Sequence, residues 1–127
     1  MNRQLSSTEL ATLSSPTMIP TMSRREKLLR LARLIRETVV SPIYLFSNLE
    51  HMHPSEMIGM THPCSAFAIA AGDESLREAG LKSDSVHDAM EFFELTRDEL
   101  HAFSCDCGGA ISNDGMARRV ESVANRP

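Results

Sequence analysis

At 127 residues the chain is the size of one domain, long enough to bury roughly two-thirds of the surface its unfolded form exposes. Its 42% hydrophobic and 24% charged residues are too apolar a mixture for a disordered chain, and no apolar run approaches the ~18 residues of a membrane span. Residues 1–40 carry seven basic against three acidic side chains, a net of +4, which leaves −8 for the remainder. That asymmetry has two readings: a basic surface for an acidic partner, or one basic helix docked on an acidic body.

Residues 1–22 are rich in Ser, Thr and Pro, show no sustained hydrophobic period, and read as a flexible N-terminal tail before a helical domain over 23–127. The tail has no continuous apolar core of the kind a secretory signal needs. With an odd count of three cysteines, this points to a reducing, cytoplasmic setting.

Ser23-Arg-Arg-Glu26 is a capping box, in which the serine accepts from the N3 amide and the glutamate reaches back to the cap. It opens a predicted helix to about Val40, stopped by Ser41-Pro42. Leu28, Leu31, Ala32, Ile35 and Val39 form its apolar stripe, and Arg30, Arg33 and Arg36 lie opposite. Those arginines read first as a solvated face and second as a functional basic surface.

Residues 42–63, with prolines at 42, 54 and 63, read as a long irregular connection whose apolar cluster Ile43–Phe46 covers the core. Pro63 introduces a small-residue helix from Cys64 to Ala71, apolar nearly all round and therefore expected at the centre of the domain. Gly80 followed by Leu81 has the form of a glycine C-cap with its hydrophobic contact. After Ser83-Asp-Ser85, the residues Val86, Ala89, Met90 and Phe93 fall at helical spacing. A second capping box, Thr96-Arg-Asp-Glu99, with Leu95 stapled to Leu100, predicts a short helix over 97–103. Ser104–Gly109 reads as a loop, and a last helix over 113–124 buries Met116, Ala117, Val120 and Val123. The fold expected is all-α, a small bundle of four to five short helices.

The stretch Ala89-Met-Glu-Phe-Phe-Glu-Leu-Thr-Arg-Asp-Glu-Leu-His-Ala-Phe103 resembles a pattern in small helical bacterial proteins of unknown function. In that pattern a helix ends in a Leu-Gly-Leu-Thr-like turn and a Thr-x-x-Glu helix follows, often downstream of a Cys-led small-residue helix like Cys64–Gly72. Here Glu94 stands where the pattern has its turn glycine, and Ser65-Ala66 stands for the usual Gly-Thr after the cysteine. The resemblance implies a fold and no activity.

Phosphate loops, His-Glu-x-x-His and Gly-x-Ser-x-Gly motifs are all missing from the sequence, which leaves no catalytic set. Cys64 at a helix start is the one candidate nucleophile, with His53, His62 or His101 as its base, set against the plainer reading of a packed small residue. The sharper metal reading joins His62 and Cys64 to Cys105 and Cys107 as one nitrogen and three sulfurs, a structural zinc set, with His51, His53 and His101 as spare ligands. A helix-turn-helix over residues 84–103 is opposed by its charge, six acids against Arg97, which repels a phosphate backbone.

The sequence thus points to a small non-enzymatic accessory or interaction protein whose partner is another protein or a second copy of itself. Nucleic acid and membrane are not the expected partners, and no cofactor is expected beyond the candidate zinc. The alternatives are a zinc-stabilised binding module and a DNA-associated regulator.

Overall fold

The computed structural model describes residues 22–126, so the tail expected over 1–22 lies, apart from Met22, outside the described residues. Within that span the all-α expectation is overturned. Five α-helices and three 3-10 segments surround a three-stranded mixed sheet, which makes the domain α+β. The difference comes from β2 and β3, of two and three residues, too short to display a period, and from β1, whose five residues IYLFS do not alternate apolar with polar.

Helix α1 (Arg24–Glu37) begins as its sequence dictates. The Glu26 amide donates to Ser23 Oγ at 3.1 Å and the Ser23 amide to Glu26 Oε1 at 2.8 Å. Leu28, Leu31, Ala32 and Ile35 are buried, but Val39 is 98% exposed because the helix stops at Glu37. The β-branched run Thr38-Val39-Val40 leaves the helix at Thr38, which is extended and whose Oγ1 accepts from the Val40 amide.

The predicted irregular connection contains β1 (Ile43–Ser47), whose inward residues Ile43, Leu45 and Phe46 are buried. Strands β2 (Ser104–Cys105) and β3 (Gly109–Ile111) straddle it, in the order β2-β1-β3. β2 runs parallel to β1 with Phe46 opposite Ser104, and β3 antiparallel with Ile43 opposite Ile111. The three residues between them, Asp106 to Gly108, therefore cross the end of β1 instead of standing away as a loop. Gly108 and Gly109 have φ of 75° and 123°, and a Cβ on Gly108 would lie 3.2 Å from Ser47 Oγ. This crossing needs glycine at both places.

Helix α2 (Ala66–Ala71) starts two residues later than predicted. Ser65, not Cys64, precedes its first turn and accepts from the Ala68 amide at 3.1 Å. Asp73 caps α3 (Glu74–Glu78), which ends at Gly80 (φ 125°) with the Leu81 amide donating to Leu76 O, the predicted glycine C-cap. Helix α4 (Val86–Phe92) is capped by Ser85, and two residues past its end Glu94 takes a left-handed φ of 54°.

The Thr96–Glu99 capping bonds form as expected, at 2.9 and 3.1 Å, although the segment they open, Asp98–Phe103, is 3-10 rather than α. Helix α5 (Asn113–Ala124) buries Met116, Ala117, Val120 and Val123 and packs along α1. Phe67 of α2, 1% exposed, sits at the centre, stacked on Phe103 at 4.7 Å and facing Phe46 at 6.3 Å.

Candidate functional site

The basic face of α1 is turned onto the protein's own acids. Arg30 makes a two-pronged contact with Asp73, Nη2 to Oδ1 at 2.8 Å and Nε to Oδ2 at 3.3 Å. Arg33 pairs with Glu37 one turn on, at 3.1 Å. Arg36 reaches α5, where it pairs with Asp114 at 3.2 Å and with both oxygens of Glu121.

Of the helix's other basic side chains, Arg24 meets an acid, and Arg25 and Lys27 meet neutral oxygens. Arg24 pairs with Glu99 at 2.7 Å and donates to Glu94 O, Arg25 donates to Asn125 Oδ1, and Lys27 donates to Phe92 O while lying 4.2 Å from that ring's centroid. Arg24, Arg30 and Arg36 thus tie the helix to acids elsewhere in the fold, while Arg33 pairs within the helix and stays exposed. The Arg30 guanidinium holds the Asp73 carboxyl below its ordinary value against the opposing effect of burial, and Arg36 does the same for Glu121.

The cysteines and His62 are not gathered. Ser65 pairs with Tyr44 and Cys105 with Ser47 on the same side of β1, both in parallel register, so Cys64 and Cys105 lie four residues apart along that strand. At ~3.3 Å per residue this is about 13 Å, beyond the ~7 Å reach of a disulfide and beyond a shared tetrahedral ion. All three thiols are free, with Cys64 and Cys107 exposed. The Cys105 thiol donates to Gly108 O inside the crossing. His62 stacks on Tyr44 with ring centroids 3.7 Å apart, and its Nδ1 accepts from the Cys64 amide at 3.1 Å. Cys64 lies ahead of the Ser65 cap, outside the helix it was expected to open.

What the fold does present is an open groove of about 460 Å³ between the C-terminal turn of α1 and the outer face of α2. Leu34, Val40, Pro63 and Ile69 are its larger apolar lining residues, and Glu37 and Asp73 are its carboxylates. Both carboxylates are already paired, with Arg33 and Arg30. Val39, the most exposed large apolar side chain among the described residues, lies in the segment that borders it. Sequence reasoning placed Val39 on the buried stripe and so missed this feature. The β-branched run after Glu37 is the signal that could have found it.

No helix among the described residues is long and apolar enough to cross a membrane. No family model matches the chain, and neither a curated protein nor a solved structure was found to match it.

Proposed function

We propose that this protein is a small non-enzymatic interaction module that receives an apolar, uncharged segment of a partner protein in the groove between α1 and α2. The observation that carries the reading is a groove with apolar lining residues whose two carboxylates are satisfied within the fold. An occupant gains by removing apolar surface from water, at roughly 25 cal/mol per Å² before association costs, and has no free charge to match. The pairing of Arg30, Arg33 and Arg36 supports a protein partner over a nucleic acid, because phosphate binding draws its affinity from cations free to replace counterions.

The reading predicts that a random peptide library selected on the immobilised protein enriches one apolar motif without a Lys/Arg or Asp/Glu bias. Binding of the enriched peptide should change little between low and high salt and fall at least about tenfold with Ile69→Asp, a loss of roughly 1.4 kcal/mol. Ile69 is half-buried at the groove, so circular dichroism must show Ile69→Asp still folded. No enrichment, or a peptide indifferent to both Ile69→Asp and Val40→Asp, would remove the groove as the binding site.

A further inference from the structure

A second polar site lies on the face formed by the 3-10 turn Leu49–His51 and the 3-10 helix Asp98–Phe103, and it shares no lining residue with the groove. Its centre is Glu50, whose side chain is only 6% exposed yet lines a cleft of about 240 Å³ with His51, Arg97, Asp98 and His101. The buried Ser104 hydroxyl donates to Glu50 Oε1 at 2.7 Å and fixes the carboxylate. His101 Nδ1 stands 3.4 Å from Oε1, and His51 Nε2 stands 3.5 Å from Oε2.

Both separations are long for an N–H···O hydrogen bond, which prefers ~2.7–3.2 Å. They are close to the ~3.4 Å that separates two donors on a tetrahedral zinc ion with bonds of ~2.0–2.1 Å. We propose that Glu50, His51 and His101 form a binding site for a divalent transition-metal ion of the zinc type, with the remaining coordination open to the cleft.

The donor chemistry fits. Two imidazoles and one carboxylate are a set that zinc takes with a water or further ligand in its fourth position. The Ser104 hydroxyl supplies the outer-shell hydrogen bond that orients a ligating carboxylate. Within the cleft it is the Glu50 carboxylate that a cation would meet, since Asp98 pairs with Arg126 at 3.3 Å. Arg97 itself is turned to backbone, its Nη1 donating to the carbonyls of Glu50 and Met52.

The three ligand atoms do not lie within 4.8 Å of one another as they stand; among the described residues only His87, Asp88 and Glu91 do. The remaining closure falls on two imidazoles with side chains 75% and 64% exposed, free to turn onto one oxygen of a fixed carboxylate. The His87 group is the weaker candidate because its two carboxylates face opposite nitrogens of one ring, Asp88 on Nδ1 and Glu91 on Nε2.

The test is zinc titration of the full chain, purified without an affinity tag and stripped with chelator, read by calorimetry and repeated with cobalt for its absorption spectrum. One equivalent of zinc should bind. Affinity should fall at least about tenfold with either His51→Ala or His101→Ala, and by a comparable factor with Ser104→Ala, whose hydroxyl only positions Glu50. The triple variant Cys64→Ser, Cys105→Ser, Cys107→Ser should bind unchanged, and the cobalt form should lack a thiolate charge-transfer band. His51 and His101 are exposed, so their variants keep the fold and the answer does not hinge on buried Glu50. No binding to the stripped wild type, binding lost in the cysteine triple variant, or binding lost on His87→Ala would each overturn the assignment.

Discussion

Replacing Phe67 with alanine lowers the unfolding free energy by about 3–5 kcal/mol, a large share of the ~5–15 kcal/mol available to a domain of this kind. Phe67 is 1% exposed and joins α2 to β1 and to the Asp98–Phe103 helix, by its ring contacts with Phe46 and Phe103. Alanine removes the transfer free energy of the ring and leaves a cavity lined by two other aromatics that cannot both move in to fill it. Phe67→Leu keeps most of the apolar volume and should lose well under half as much. Urea unfolding followed by circular dichroism measures both. A loss below about 1 kcal/mol for Phe67→Ala would show that this three-element junction is not the centre of the core.

Glu99→Ala is expected to cost about 2–4 kcal/mol, because one carboxylate closes two structures at once. Oε1 accepts from the Thr96 amide at 2.9 Å, completing the cap of the 3-10 helix, and Oε2 pairs with Arg24 at 2.7 Å. The Glu99 side chain is 8% exposed, so its removal strands the Arg24 charge against the carbonyls of Glu94 and Val123. Glu99→Gln keeps the cap bond and loses only the charge, and should cost roughly half as much.

The same residue predicts a pH dependence. Burial pushes the Glu99 carboxyl up, but the Thr96 amide and Arg24 outweigh it and hold the group below its ordinary value of 4.5. Glu50 stands likewise: burial raises it, and Ser104, its own backbone amide and the flanking histidines bring it down further. A carboxyl depressed in the folded state contributes stability above its unfolded pKa, and that stability is lost as pH falls through the folded value. Stability should therefore decline as pH drops below about 4.5, and decline less steeply in Glu99→Gln. An identical slope in the two proteins would mean that Glu99 is not ion-paired.

Glu99 also shows which part of the fold was legible in the sequence. The Thr-x-x-Glu spacing announced its cap bond, three residues away. Its partner Arg24 is 75 positions away and nothing local marks it. The same division runs through the chain. Ser23–Glu26, the Gly80 C-cap and the α5 stripe are short-range and came out as read. The sheet is made of three segments paired across about 60 residues, two of them too short for any period, so Ile43–Phe46 looked like loop cover.

Helix class at residues 98–103 was missed for a related reason, since capping chemistry specifies where a helix starts and not how tightly it winds. Of the candidate site, His51 and His101 were visible as histidines able to ligate. Glu50 was not, because a lone glutamate in an irregular stretch carries no sequence signal until the fold buries it. The zinc set of His62, Cys64, Cys105 and Cys107 was a count of ligand types. Register along β1 then set Cys64 and Cys105 too far apart to share an ion.

The pairing of Arg30 and Arg36 with acids elsewhere in the fold underlies the protein-binding reading. Its most direct test is a double-mutant cycle on Arg30 and Asp73, with Arg30→Ala, Asp73→Asn and the combination, each unfolded in urea. Asparagine still caps α3, so the cycle isolates the ion pair from the Leu76 amide bond. The predicted coupling is about 1 kcal/mol or more, since the Asp73 side chain is only 10% exposed and the contact is two-pronged. A coupling of no more than about 0.3 kcal/mol would contradict it and return Arg30 to solvent as a free cation.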